Sequence, residues 1–187
     1  MNAPAHAFAR ARKLSHVEFV YPPGERALVG RLFALLGVEV QDVMEGRYFV
    51  GMIDPASFDP ADNENYVAGS QVLPEQWAFD QELKRALHEG ELAESFATHQ
   101  AQIDRYPQSG MHFGIDFATV GEWEAAIDRI SRVAELAPEL AGRVRLCGVF
   151  RPGEPGSVAS IHQAFLWTDV VASGSLAFGQ RIELSAH

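Results

Sequence analysis

The sequence predicts an α+β protein built from two paired βαβββ modules, and three observations support this fold class. Two strand-like runs, at 15–21 and 111–117, each have a histidine as their second residue, followed by alternating apolar and polar residues. A helical pattern and then further strand-like runs follow each of them. Aligning His16 with His112, an offset of about 96 residues (112 − 16), superimposes the two patterns. We therefore expect two modules that form one curved mixed sheet around a cleft, with a helical insert between them.

The first module is assigned to residues 14–73, after an N-terminal arm at 1–13. In its first strand, Val17, Phe19 and Tyr21 share an apolar face, whereas His16 and Glu18 lie on the other face. The rest of the module reads as a helix, two strands with a hairpin-like connection, an acidic loop, and a last strand weakened by a Gly-Ser pair. The expected ranges of these elements are 25–36, 38–43, 47–53, 54–65 and 66–73.

The helical insert is assigned to residues 74–108, and the second module to 109–187. In the first strand of this module, an apolar set (Phe113, Ile115, Phe117) again lies opposite the histidine, His112. A helix and three strands follow, and their expected ranges are 120–134, 144–150, 160–168 and 178–185. The polar faces of the two modules would then line the cleft.

Composition and charge narrow the classes of function. The 187 residues are 47% hydrophobic, which is enough for one domain with a core. A net charge of -10, with no basic cluster beyond residues 10–13, argues against a nucleic-acid partner. Cys147 is the only cysteine, so we expect a reducing, cytoplasmic location without disulfides or thiolate metal cages. We expect no membrane segment, since no run approaches the roughly 20 apolar residues of a span.

The element order and the two histidines resemble the vicinal oxygen chelate superfamily, over about residues 14–185. That superfamily contains glyoxalases, extradiol ring-cleaving dioxygenases, fosfomycin-resistance transferases and bleomycin-resistance proteins. Its members draw metal ligands from the first and last strands of the modules, and the matching residues here are His16, His112 and Glu183. In the dioxygenase branch these positions hold a 2-His-1-carboxylate set for iron(II). The resemblance thus implies a metal-dependent enzyme acting on a small molecule with vicinal oxygens.

The chemistry of these three side chains supports the same interpretation. Neutral imidazole and carboxylate suit divalent iron, manganese, nickel or zinc, of which the resemblance favours iron(II). With two imidazoles and one carboxylate, a divalent ion keeps a net charge of about +1 by simple addition. Such a centre can chelate two adjacent oxygens of a diol, a 1,2-dicarbonyl derivative or an enediolate.

Two residues are candidates for proton transfer, and the resemblance also implies a possible fourth ligand. His162 lies between the last two expected ligands, where extradiol enzymes have a proton-shuttling histidine, and Glu18 shares the cleft face with His16. Extradiol enzymes usually have a tyrosine after that histidine, but this chain has none at 163–182, which argues against standard catechol cleavage. Isomerase or lyase chemistry stays open. Glyoxalase-like members have a ligand on the last strand of module one, for which Gln71 and Glu64 are the candidates.

Other interpretations of the same residues stay open. Each histidine could be an ordinary half-buried strand residue, and Glu183 a surface charge answering Arg181. The alternative function is a non-enzymatic small-molecule binding protein of the bleomycin-resistance type. A third is a scaffold whose helical insert docks a partner. The resemblance also implies a homodimer, because such sheets commonly extend across two chains.

Overall fold

The computed structural model describes residues 15–43, 48–54, 65–158 and 160–187. Within these ranges the chain forms two four-stranded mixed sheets and five α-helices, which confirms the α+β class. The expected N-terminal arm at 1–13, the hairpin connection at 44–47 and most of the acidic loop, 55–64, lie outside the described residues.

The first sheet has the strand order β1-β4-β3-β2. Strands β1 and β4 are parallel, whereas β4 with β3 and β3 with β2 are antiparallel. The elements of this half are β1 (His16–Tyr21), α1 (Arg26–Leu35), β2 (Glu39–Val43), β3 (Tyr48–Met52) and β4 (Tyr66–Gln71).

One face of the first sheet packs against α1 through aromatic rings. Phe19 of β1, Phe33 of α1 and Phe49 of β3 are buried, with ring centroids 5.3–5.6 Å apart. Gly69 lies opposite Phe19 in the ladder, where a Cβ would collide with the Phe19 ring. The glycine that weakens the sequence pattern of β4 is therefore what allows this strand to pair beside a large aromatic side chain.

The insert forms two helices, α2 (Pro74–Glu89) and α3 (Ala93–Arg105), and a short 3-10 turn at Pro107–Ser109. Polar contacts attach it to the second half. The buried Asp80 accepts a hydrogen bond from Ser175 Oγ at 2.5 Å. Although α3 buries none of its residues, Asp104 accepts from both Arg145 and Arg181. No described helix is long and apolar enough to cross a membrane.

The second sheet repeats the topology of the first, with the strand order β5-β8-β7-β6. Its first and last strands are again parallel and its other pairs antiparallel. The elements are β5 (His112–Phe117), α4 (Val120–Ser131), α5 (Val133–Leu136), a 3-10 turn at Pro138–Leu140, β6 (Val144–Phe150), β7 (His162–Thr168) and β8 (Gln180–Ala186).

Helix α4 covers one face of the second sheet, and it begins where Thr119 Oγ1 accepts from the backbone N–H of Glu122. Trp123 has no exposed surface, and its Nε1 donates to the carbonyl of Leu184 at 2.9 Å. The main apolar cluster contains buried residues from both halves. Hydrogen bonds also join them, among them those from Arg129 Nε to the carbonyl of Leu35 at 2.6 Å and between the backbones of Val20 and Ala172.

Candidate functional site

The strand register of the second sheet brings His112 and Glu183 together on its face away from α4. Glu183 lies directly opposite Gly114, and His112 precedes Gly114 by two residues, so all three share that face. The two side chains meet, with His112 Nε2 3.0 Å from Glu183 Oε2. Their side chains are 23% and 16% exposed, so the pair is largely shielded yet open to a small ligand.

The hydrogen bond on the far side of His112 determines what its Nε2 can do. His112 Nδ1 lies 2.8 Å from the carbonyl oxygen of Gly110. A carbonyl only accepts, so Nδ1 carries a proton, and Nε2 of the neutral ring presents a lone pair to Glu183. Two acceptors facing each other at this distance need a proton or a cation between them, which is a second proton on the ring, a proton on the carboxyl group or a bound cation. This donor set fits a divalent metal, since a ligating histidine normally donates its other N–H in this way.

Glu183 is held at both oxygens, the second contact being to Gln163 of β7. Gln163 Nε2 donates to Glu183 Oε1 at 2.6 Å. Sequence analysis missed Gln163, although a glutamine inside the apolar run of β7 was a signal that could have identified it. Phe165, directly opposite Glu183 in the ladder, also lies with its ring edge-on to His112 at 5.3 Å between centroids.

His16 occupies the corresponding position in the first sheet but has different surroundings. Its ring stacks on Tyr66 at 5.0 Å, and Nδ1 lies 2.8 Å from Ser15 Oγ. Its Nε2 is 4.0 Å from Glu18 Oε1. Across the described ranges, no three His, Cys, Asp or Glu side chains are arranged to hold a metal. The structure therefore brings His112 and Glu183 together without closing a set of three around them.

Gln71, one of the two candidates for a fourth ligand, does not lie on the same face as His16. Glu183 lies opposite Gly114, which follows His112 by two residues. Ala68 lies opposite Glu18, which follows His16 by two residues, so Ala68 occupies the position in the first sheet that Glu183 has in the second. Gln71 is on the other face of β4, and its Oε1 accepts from the backbone N–H of Gly24. Glu64 lies outside the described residues.

Of the two proton-transfer candidates, His162 lies on the opposite side of the second sheet from the His112–Glu183 pair, and Glu18 lies on the first sheet. His162 is opposite Ala186 in the ladder and therefore lies on the α4 side of the sheet, with its ring 5.2 Å from that of Trp123. Its Nδ1 is buried without a hydrogen-bond partner. The sheet thus separates His162 from the pair. The side chain of Glu18 is 77% exposed and lies on the open face of the first sheet.

A cavity of about 280 Å³ lies on that open face. One wall comes from the strands of the first sheet, and the other comes from α2 and a turn of the second half. The lining residues are Glu18, Phe19, Val20, Tyr48, Ala68, Gly69, Ser70, Gln76, Ala172, Ser173 and Gly174. The small side chain of Ala68, at the position corresponding to Glu183, leaves part of this space open.

Charged residues beside the pair come from β8, β6 and the insert. Arg181 lies directly opposite His112 in the ladder, and Asp104 accepts from it at 2.8 Å and from Arg145 at 2.7 Å. The nearby Cys147 is not an obvious ligand, since burial raises the pKa of its thiol and favours the neutral form.

This chain has no match by sequence among known families and curated proteins, and it has a distant neighbour among solved structures. No protein-family model matches it, and no curated protein matches it. A solved structure, of the hypothetical protein SA1046 from S. aureus, is similar with 8% sequence identity and a TM-score of 0.41. That similarity covers 94% of this chain and 93% of the other.

Proposed function

We propose that this protein is a divalent-metal-dependent enzyme of the glyoxalase and dioxygenase superfamily that acts on a small molecule with vicinal oxygens. The observation that carries the proposal is the convergence of His112 Nε2 and Glu183 Oε2 at 3.0 Å, with Nδ1 of the same ring bound to the carbonyl of Gly110. This combination, an imidazole fixed by a backbone carbonyl beside a carboxylate, is typical of metal ligands.

The topology supports the family assignment. Both halves have the order β, α, β, β, β and equivalent strand orders in their sheets. In our proposal the two halves pair as modules around a cleft, and His16 completes the ligand set from the first half. We infer iron(II) as the metal, with zinc, nickel and manganese as alternatives that the same donors accept.

The roles of the side chains follow from their positions. His112 and Glu183 would hold the metal, which when bound would supply a Lewis acid for two adjacent substrate oxygens. Gly114, opposite Glu183, adds no side chain above the carboxylate and leaves room for substrate. Proton transfer is assigned to Glu18, because its exposed carboxylate lines the cavity and lies 4.0 Å from His16 Nε2.

A second candidate function is favoured by the cavity on the first sheet. Its lining contains one carboxylate, Glu18 of β1, and an aromatic side chain, Tyr48 of β3, which lies two strands away on the same face of the sheet. A carboxylate near an aromatic ring suits a cationic or aromatic compound, which such a cavity would hold without chemistry. This is the alternative of a small-molecule binding protein. In either case we propose a cytoplasmic homodimer.

The metal content of protein purified without added metal tests the proposal. Mass spectrometry would compare the native chain with His112→Ala, Glu183→Ala and His16→Ala, and with His99→Ala on the exposed side of α3 as the matched control. We expect near-stoichiometric metal in the native chain and the control, and its loss in the other three variants.

Other outcomes would change the proposal in defined ways. Metal retained by His16→Ala but lost from the other two variants would limit the ligand set to the second half. Absence of metal from the native chain, even after incubation with iron(II), manganese, nickel and zinc, would reject the enzyme and favour the binding protein.

A further inference from the structure

Gln163 holds one oxygen of the Glu183 carboxylate, and the chemistry of the two groups fixes the orientation of its amide. The distance from Gln163 Nε2 to Glu183 Oε1 is 2.6 Å. An ionised carboxylate only accepts hydrogen bonds, so the NH₂ group rather than the amide oxygen must face it. Oε1 of Glu183 is therefore occupied by a proton donor, whereas Oε2 faces His112.

The other end of the same amide has no such partner. Gln163 is 7% exposed, and its Oε1 is buried without a hydrogen-bond partner. An unpaired buried carbonyl destabilises a fold, and native structures contain few of them. The next residues, Ala164 and Phe165, are buried and apolar, so an apolar side chain would be the expected occupant of this strand interior. The contact that explains a glutamine here is its hydrogen bond to Glu183.

We propose that Gln163 keeps Glu183 monodentate and thereby selects a transition-metal ion over calcium. This inference rests on the proposed metal site. The hydrogen bond from Gln163 takes up one lone pair of Oε1 and directs that oxygen toward β7, whereas Oε2 faces the imidazole nitrogen of His112 and is the oxygen presented to a cation there. Calcium favours six to eight oxygen ligands and often a bidentate carboxylate. Manganese, iron(II) and zinc accept mixed nitrogen and oxygen donors in smaller sets, which leaves positions open for substrate.

The test compares the binding of Mn²⁺ and of Ca²⁺ by the full chain, using isothermal titration calorimetry. Gln163→Met removes the N–H donor at similar volume, and Gln163→Asn keeps the amide but is too short by one methylene group. Gln102→Met, on the exposed surface of α3, is the matched control. We expect both Gln163 variants to bind Mn²⁺ about 10- to 100-fold more weakly, the range seen when ligand-supporting residues are removed. The ratio of Mn²⁺ to Ca²⁺ affinity should fall by about 10-fold or more, since both carboxylate oxygens become free.

Each result has a distinct meaning. If the native chain binds neither ion, the metal site itself is rejected and this inference with it. If the native chain binds Mn²⁺ and the Gln163 variants match it in affinity and in ion preference, the metal site stands but Gln163 has no role in it. An equal loss for both ions would also overturn the selectivity role. Thermal unfolding of each variant without metal verifies folding, and Gln163→Asn carries the test if Gln163→Met does not fold.

Discussion

The two halves of this molecule have the same topology, but among the described residues a histidine and a carboxylate come within 3.0 Å of each other only in the second. In the second half, His112 meets Glu183 on the open face of its sheet. In the first half, His16 occupies the matching position on β1, but Ala68 stands where the carboxylate would be. Beside His16 the structure has instead a stacked Tyr66 ring and the carboxylate of Glu18, 4.0 Å from Nε2.

The difference indicates that the repeated topology provides equivalent positions, whereas a few side chains decide what each position can bind. The helix-facing sides of the two sheets are similar, because both must bury apolar residues against a helix in one shared core. The open faces carry no such constraint. The open face of the second sheet can therefore hold the His112–Glu183 pair, while the open face of the first sheet lines a cavity.

The largest predicted effect concerns the shared core. Trp123→Ala in the second half and Phe33→Ala in the first should each lower the free energy of unfolding by about 3–5 kcal/mol, because both side chains have no exposed surface. Since one core serves both halves, each variant should unfold in a single transition in urea, followed by circular dichroism. Phe79→Ala, at an exposed position of α2, is the control, with an expected change within about 0.5 kcal/mol. Two separate transitions would mean that the halves are independent in stability.

A smaller effect is expected at the junction between α4 and α1. Arg129 donates from Nε to the carbonyl of Leu35 at 2.6 Å, and its side chain is half-buried. Arg129→Met should lower the free energy of unfolding by about 1.5–3 kcal/mol, the range for hydrogen bonds to charged groups. Arg132→Met is the matched control, because this exposed arginine pairs only locally with Asp128 and Glu135 and should cost about 1 kcal/mol or less. The free energies of unfolding would be measured in urea. Equal losses in the two variants would show that the hydrogen bond between Arg129 and Leu35 contributes no more than a local surface ion pair.

The sequence predicted the secondary structure well because the periodicities here are strong. The expected strand at 144–150 matches β6, and α1 and β5 begin within one residue of their expected starts. Even the strand with Gly69 formed, since that glycine makes room for Phe19. The parallel pairing of the first and last strands in each sheet was not predicted, because alternation within one strand does not specify its neighbour.

The site was harder to predict because it depends on register. Phe165 of β7 is the partner of Glu183 in the ladder. Because side chains alternate between faces, only the odd-numbered residues of β7 share a face with Glu183. His162 therefore faces α4, and Gln163 faces the carboxylate. A shift of one residue in the register of β7 would exchange the faces of these two side chains, and the geometry of the adjoining turns sets that register. In the same way, nothing in the composition of β4 distinguished Ala68 from Gln71 as the counterpart of Glu183.

The smallest predicted effect on stability comes from the change that makes the first half most like the second, Ala68→Glu. Without metal it should lower the free energy of unfolding by about 0.2–1 kcal/mol, because Glu18 lies directly opposite in the ladder and like charges there repel. For a chain of this length that is at most about 2–4 °C in Tm. Ala68→Gln has nearly the same shape without the charge and should show less of this loss.

The change in Tm that Mn²⁺ causes in the same variant tests the comparison more directly than its stability without metal. In a His112→Ala background, Mn²⁺ should raise the Tm only when Ala68→Glu is also present, since His16 then has a carboxylate at the position that Glu183 has beside His112. The Ala68→Gln, His112→Ala double variant should not respond, because an amide adds no charge to hold the cation. If Mn²⁺ stabilises neither double variant, the stacking of His16 on Tyr66 has oriented the ring away from the cation. The halves would then differ in the conformation of their histidines as well as in the missing carboxylate.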